Sequence, residues 1–337
     1  MHELAHALLE LYGRTAPPEA TALADRVRRV LDCLCCESPG RRPRDRAGRP
    51  GGMIVLDRTL PTILVSDLHG RMDYLLSVLA LEVTPGAAAL DLLAGAELQV
   101  VCLGDGLHAE GRAAGRWREA FEEYSGGYER HDAIDEEMRE SLGTMEMVMA
   151  TKLAFPAHFH FLKGNHENIA NEEGDGNFPF RKFAHEGAMV ADYMLRFYGE
   201  DTLGAWARFE KQLPLLAVGS PFLASHAEPR TFYSRDRVVG YRDDADVVAG
   251  LTWTDNDEAE PGSVQLMLEH YLGAEAGSAR YFGGHRAAAG GYGLRADGRY
   301  VQIHDPERFQ VALLHPAAAV DPERDVRCIT NRPLAPG

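Results

Sequence analysis

Five short apolar runs in this chain each end, within a few residues, on a side chain able to bind a cation, and this recurrence limits the fold more than any other feature. "TILV" at 62–65 is followed by Asp67 and His69, "LQVVCL" at 98–103 by Asp105, and "HFHFL" at 158–162 by Asn165 and His166. "FLA" at 222–224 leads to His226, and "RYF" at 280–282 to His285. Runs of this length and content read as buried strands. Residues two apart on an extended chain point the same way, so Asp67 and His69 converge above one strand end. Ligand sites in open α/β sheets lie outside the carboxyl ends of strands, where loops meet over a crevice. A lone histidine in such a place reads as packing. Five strands that deliver ligand-type side chains at one topological level imply a site.

Further strands are expected at "MIVLD" (53–57), "LLAVG" (215–219), "YVQIHD" (300–305) and "FQVALLH" (309–315). Helical patterns occupy 71–83, Glu137 to Leu153, and two stretches within 189–213. The early strands carry helical crossovers, whereas the last third is mostly strands joined by turns such as "RADG". This combination predicts an α/β protein in which two mixed sheets pack as a sandwich flanked by helices, a four-layer arrangement, and not a doubly wound parallel sheet. Residues 1–52 read as an N-terminal extension: a helical pair with Val27, Val30, Leu31 and Leu34 on one face, then "SPGRRPRDRAGRPGG" at 38–52 as a solvated linker. The catalytic body is expected at 53–320, with a helical insertion at 107–157 that covers the sheet as a hairpin and buries Trp117, Phe121 and Tyr124. Residues 321–337 read as a C-terminal tail.

Asp67, His69, Asp105, Asn165, His226 and His285 offer two carboxylates, one amide oxygen and three imidazoles, without a thiolate. That mixture suits Mn, Fe or Zn. Six ligands exceed what one tetrahedral zinc takes. They suit two ions bridged by a carboxylate and roughly 3.5–4 Å apart, an arrangement used for displacement at phosphorus. The formal charge of −16 argues against nucleic acid as a partner, because a polyanion would be repelled. Five cysteines, an odd number, indicate neither a disulfide framework nor a zinc knuckle, and fit a reducing compartment. No run of 18 apolar residues occurs and the first residues lack a basic segment, so a cytoplasmic, soluble protein without a membrane partner is expected. Nucleotide-binding glycine loops and a serine-hydrolase elbow are absent.

In order, "SDLHG", "GDG", "KGNHE", "SHAEP" and "GGHR" resemble the five signature blocks of the calcineurin-like metallophosphoesterases, and more narrowly the phosphoprotein phosphatase branch. "LTWTDND" at 251–257 resembles that branch's tryptophan-and-aspartate segment, and the matched blocks span 62 to 305. The resemblance implies two divalent ions, with Mn expected and Fe or Zn as alternatives. It implies Asp67 and His69 on the first ion, Asp105 bridging, and Asn165, His226 and His285 on the second. His166 would be the general acid, with Glu167 either supporting the ligands or simply opening a helix. The implied reaction is hydrolysis of phosphomonoesters by direct attack of a hydroxide held between the ions. Phosphoserine or phosphothreonine in a protein is the leading substrate, with small phosphoesters beside it. A diadenosine polyphosphate hydrolase or phosphodiesterase on the same core stays open, as does a catalytically silent binding module.

The departures are local. "GDGLHAEGR" puts His108 where the branch has an aspartate that orients the general acid, and Ala109 where it has a phosphate-clamping arginine. Lys163 replaces an arginine before "GNHE", exchanging a planar fork for a point charge. Arg71, Lys163, Arg230 and Arg286 are the remaining candidates for binding phosphate, with His108 or Glu110 expected to contact His166 or the substrate. His304 in "VQIHDP" is set aside, because the matching position in the branch is not a ligand.

Overall fold

Strands form where β-branched and apolar runs are bounded by turn residues. In the computed structural model, which describes residues 2–316, 318–332 and 334, they are in chain order β1 (Met53–Val55), β2 (Thr62–Val65), β3 (Glu82–Thr84), β4 (Ala87–Ala88), β5 (Gln99–Cys102), β6 (Phe159–Phe161), β7 (Leu216–Val218), β8 (Phe222–Ser225), β9 (Arg280–Gly283), β10 (Gly293–Arg295), β11 (Tyr300–Gln302), β12 (Phe309–Leu314) and β13 (Val326–Ile329). One sheet has the order β13-β12-β2-β5-β6 and a second the order β1-β7-β8-β9-β11-β10. β2, β5 and β6 run parallel, as do β8, β9 and β11. All six therefore present their carboxyl ends in two parallel sets.

Period-two alternation distributes the side chains of each strand between two apolar faces. Leu64, Val101 and Ala312 of the first sheet meet Ala217, Ala224, Phe282 and Val301 of the second in the core between the sheets. Their neighbours Ile63, Val65, Val100 and Cys102 point the other way, into a helical layer. That layer holds α1 (His2–Tyr12), α2 (Ala20–Cys35), α3 (Met72–Leu79), α4 (Ala89–Ala94), α5 (Ala114–Ser125), α6 (Asp132–Ala154) and α7 (Glu186–Gln212), the last broken at Gly199, whose φ is 80°. Leu8, Val27, Leu142 and Trp206 share its core. On the far side Val247, Leu251, Val264 and Met267 cover Met53, Leu223 and Tyr281. The result is the expected sandwich of two mixed sheets with helices outside. Sheets covered on both faces explain why the strands read as continuous apolar runs. Among the described residues no helix is long and apolar enough to cross a membrane.

Three segments depart from the sequence reading. The arginine-rich stretch 38–52 is not a solvated linker throughout, since Arg42 is fully buried. Its guanidinium donates to the carbonyls of Gly51 (2.5 Å) and Gln212 (2.6 Å) and to Glu37 Oε2 (3.0 Å). Lys152 Nζ reaches the other oxygen of Glu37 at 2.6 Å, so this cluster fastens α6 to the segment after α2. Residues 321–337 are not only a tail: β13 pairs antiparallel with β12 from Phe309↔Ile329 to Ala312↔Val326. Four residues without a flanking turn signal hid it, and 333 and 335–337 lie outside the described residues. In the hairpin α5–α6, Trp117 is fully buried but Phe121 is exposed.

That hairpin also braces the loop after β5. Ser141 Oγ accepts the His108 N–H at 3.0 Å, and Glu137 Oε1 accepts the Ala109 N–H at 2.9 Å. A 23-residue helix that buries Met138, Leu142, Met145 and Met149 is a rigid support for such contacts. Truncating Arg42 leaves Glu37 buried with half its partners, and breaking a buried ion pair costs about 3–5 kcal/mol. Arg42→Ala is therefore expected to lower the unfolding free energy by about 3 kcal/mol, read from the denaturation midpoint at constant m-value.

Candidate metal centre

Parallel register brings the strand ends to a common level. Val65 pairs with Cys102 and Cys102 with Phe161, so Asp67, Asp105 and Asn165 emerge side by side. In the second sheet Gly283 pairs with Gln302, which puts His285 and His304 two residues further on at equal height. The loops they enter are tightly turned: His69 (φ 44°), Asp105 (φ 51°), His108 (φ 61°) and His285 (φ 62°) are all left-handed. Non-glycine residues adopt that region at a cost and cluster where function requires it. Two glycines are dictated by the same crowding. A Cβ on Gly164 would sit 2.2 Å from Asp105 Oδ1, and one on Gly284 1.8 Å from Asp67 Oδ1.

The six expected ligands converge. His226 Nε2 lies 2.8 Å from Asn165 Oδ1 and 3.3 Å from Asp105 Oδ2, and His285 Nδ1 lies 2.9 Å from Asn165 Oδ1. His69 Nε2 is 3.6 Å from Asp105 Oδ2 and 3.9 Å from Asp67 Oδ2. Backbone carbonyls orient two of the rings. His69 Nδ1 is 2.9 Å from the His108 carbonyl and His226 Nδ1 3.0 Å from that of Leu103. With Nδ1–H donating there, each Nε2 lone pair is turned to the centre, the usual support for a ligating imidazole.

The residues present fit divalent cations. Asp67 and Asp105 are buried, and among the described residues their ion-pair partners are histidines alone, with no lysine or arginine. Burial, then the charges of Asp67 and Glu167, push Asp105 well above the ordinary carboxylate range. Burial also pushes His226 down to about 4, keeping it in the neutral, ligating form. Among the described residues Asp67 Oδ1 and His304 Nδ1 are buried without a hydrogen-bond partner. Buried acceptors with no donor are costly, and cations answer all of these deficits at once.

Around this centre other residues take distinct positions. The Glu167 carboxylate accepts the N–H groups of Gly164 (2.6 Å), Asp105 (2.8 Å) and Gly106 (2.9 Å), tying two ligand loops together. His166 donates its backbone N–H to Asp105 Oδ1 (2.9 Å), and its Nε2 is 3.8 Å from Asp105 Oδ2. His108 Nδ1 lies 2.9 Å from His166 Nδ1. Burial first, then the neighbouring imidazoles of His69 and His108, hold His166 well below its ordinary range.

The phosphate-binding expectations meet a different outcome at each residue. The Arg71 guanidinium is turned inward onto the carbonyls of Asp67, Leu68, Asp305, Pro306 and Arg308, so most of its donors go to joining two loops. Lys163 is buried and donates to the Glu167 carbonyl. Arg230 pairs with Asp246, and Arg286 with Asp255 at 2.7 Å. The cleft beside His69 is lined by Arg112, Arg139 and Lys182 together with Arg71, in a cavity of about 980 Å³ that also touches Glu110 and Phe309. Nothing in the ligand pattern singled out the first three, because they come from the insertion and from the segment before α7.

His304 is the residue that the sequence reading set aside, and Glu110, expected against His166 or the substrate, pairs with it. Glu110 Oε2 lies 2.9 Å from His304 Nε2 and 3.7 Å from His69 Nε2. The one usable signal was length, since "YVQIH" runs out as far beyond its strand as "RYFGGH" does.

No family model and no curated protein matches the sequence. Among solved structures, the chain is similar to a protein serine/threonine phosphatase from Saccharomyces cerevisiae, itself described as similar to human phosphatase PP5, at 13% identity and a TM-score of 0.56, over 92% of this chain and 89% of that one. A cold-active protein-tyrosine phosphatase of a psychrophilic Shewanella species (16% identity, TM-score 0.42, 78% and 77% of the chains) and a metallophosphoesterase from Sphaerobacter thermophilus (13%, 0.33, 81% and 89%) lie further away. The first likeness establishes the fold: this chain has the fold of the calcineurin-like metallophosphatases. Replacing Glu167 by glutamine puts an amide NH₂ against a backbone N–H. An unsatisfied buried group costs about 1–3 kcal/mol, and disturbed support of ligands typically costs 10–100-fold in metal affinity. Glu167→Gln is expected to lower stability by about 2 kcal/mol and to reduce bound metal in dialysed protein, measured by elemental analysis.

Proposed function

We propose that this chain is a metallophosphoesterase that hydrolyses phosphomonoesters, with phosphoserine and phosphothreonine in proteins as the leading substrates. One observation carries the proposal: Asp67, His69, Asp105, Asn165, His226 and His285, from five strand ends, gather around buried carboxylates that lack any lysine or arginine partner among the described residues. Asp67 and His69 would hold a first ion, Asn165, His226 and His285 a second, and Asp105 both. When bound, such a pair of divalent ions supplies Lewis acidity toward phosphoryl oxygens and acidifies water.

The chain's own residues supply the rest. His166 turns Nε2 toward the carboxylate of Asp105 and is the candidate general acid for the departing oxygen. His108 Nδ1, at 2.9 Å, accepts the Nδ1–H of a protonated His166 and fixes its ring. Arg112 and Lys182 bring positive charge to the cleft where a phosphate enters, although each also faces a glutamate, Glu140 at 2.7 Å and Glu110 at 3.1 Å. A cavity of about 980 Å³ also admits a dinucleotide polyphosphate, which makes that hydrolysis the second reading.

Steady-state hydrolysis of p-nitrophenyl phosphate and a phosphothreonine peptide, with and without Mn, tests the proposal. Turnover is expected to require metal, to fall about 10²–10⁴-fold in His166→Ala, the size of a general acid–base contribution, and to be lost in Asp105→Asn together with bound metal. Wild-type protein that binds metal yet hydrolyses neither these nor a dinucleotide polyphosphate overturns it. The pH profile adds a signed test. A general acid works only while protonated, so activity falls as pH rises through its pKa. A neutral imidazole at 108 stabilises the imidazolium of His166 less than a carboxylate would. His108→Asp is therefore expected to move the falling limb of kcat/KM for phenyl phosphate to higher pH.

A further inference from the structure

The centre contains one more imidazole than the six ligands account for, and its placement has the form of a ligand's. His304 is 1% exposed, at the end of β11 and level with His285 on the neighbouring strand. Its Nε2 lies 2.9 Å from Glu110 Oε2, while its Nδ1 has no hydrogen-bond partner among the described residues and points to Asp67 Oδ2 at 3.7 Å. Asp67 Oδ1 is buried and unpartnered as well. One donor atom from each of Asp67, His69 and His304 falls within 4.8 Å of the others.

We propose that His304 is a ligand of the first metal position, with Glu110 holding its ring, so that Asp67, His69 and His304 bind one cation together. This inference rests on the metallophosphoesterase reading above. Glu110 accepts the Nε2–H and thereby fixes the tautomer that leaves the Nδ1 lone pair facing Asp67, a carboxylate–imidazole–cation relay. Glu110 is itself anchored by Lys182 Nζ at 3.1 Å from Oε1. A histidine that served only to pair with Glu110 would leave Nδ1 idle in the interior, which buried polar groups rarely do. Two donors each about 2.1 Å from one ion lie about 3.0–3.4 Å apart, so the observed 3.7 Å needs only a small contraction. Two imidazoles with carboxylates favour Mn, Fe or Zn over the harder Mg at this position.

Two substitutions separate ligation from positioning. In His304→Gln the side-chain amide nitrogen takes over the bond to Glu110 and nothing replaces Nδ1. In His304→Asn the amide oxygen falls near Nδ1 and the bond to Glu110 is lost. Equilibrium dialysis of the full-length protein against graded Mn reads stoichiometry and affinity directly. Wild type is expected to bind two ions; His304→Gln is expected to keep one at wild-type affinity and weaken the other at least tenfold, with His304→Asn recovering most of that loss. Two ions bound at wild-type affinity by His304→Gln, or a loss confined to His304→Asn, would overturn the assignment while leaving the metallophosphoesterase reading intact. Wild-type protein that binds no ion overturns both.

Discussion

Asp67 and Asp105 are carboxylates held in the interior with only imidazoles for ion-pair partners among the described residues, and the surrounding structure is organised by the cost of keeping them there. Two like charges in a low-dielectric setting repel, and each alone pays for desolvation. The strained loops, the two glycines that admit the carboxylate oxygens, and the Glu167 carboxylate that gathers three backbone N–H groups make sense as devices that fix this pair until cations offset its charge. Without such a purpose, three carboxylates within one buried loop cluster would be a liability.

The supports reach outward in layers. Glu137 and Ser141 on α6 hold the backbone of His108 and Ala109, so the loop bearing His108 takes its position from a helix that is itself packed against α1 and α2. The N-terminal helices share a core with the sheet that carries Asp67 and Asp105. Tyr12, at the end of α1, lines the same cleft as His69 and Arg112. Segments remote in sequence thus set the walls of the cavity, and with them the room left beside a phosphate.

The two-sheet architecture and the convergence of six ligand-type side chains were legible in the sequence because each rests on a local rule. An apolar strand that stops, a turn, and a ligand-type side chain two or three residues later need no tertiary information to be noticed. Arg71 and Lys163 were misread for the opposite reason. A cation in a motif loop looks the same whether it faces a phosphate or the carbonyls of a neighbouring loop, and here the carbonyls have it. His304 was passed over because the matching position in the branch the sequence resembles is not a ligand; the parallel register of β9 and β11 is what raises it level with His285. β13 was missed because four residues carry too little pattern to separate an edge strand from a tail.

Crystals grown with Mn and measured for anomalous scattering at its absorption edge probe the central claim most directly. Two peaks are predicted, roughly 3.5–4 Å apart, one beside Asp67 and His69, the other beside Asn165, His226 and His285, with Asp105 between them. An absence of density between these side chains, or a single ion bound elsewhere on the surface, would contradict it.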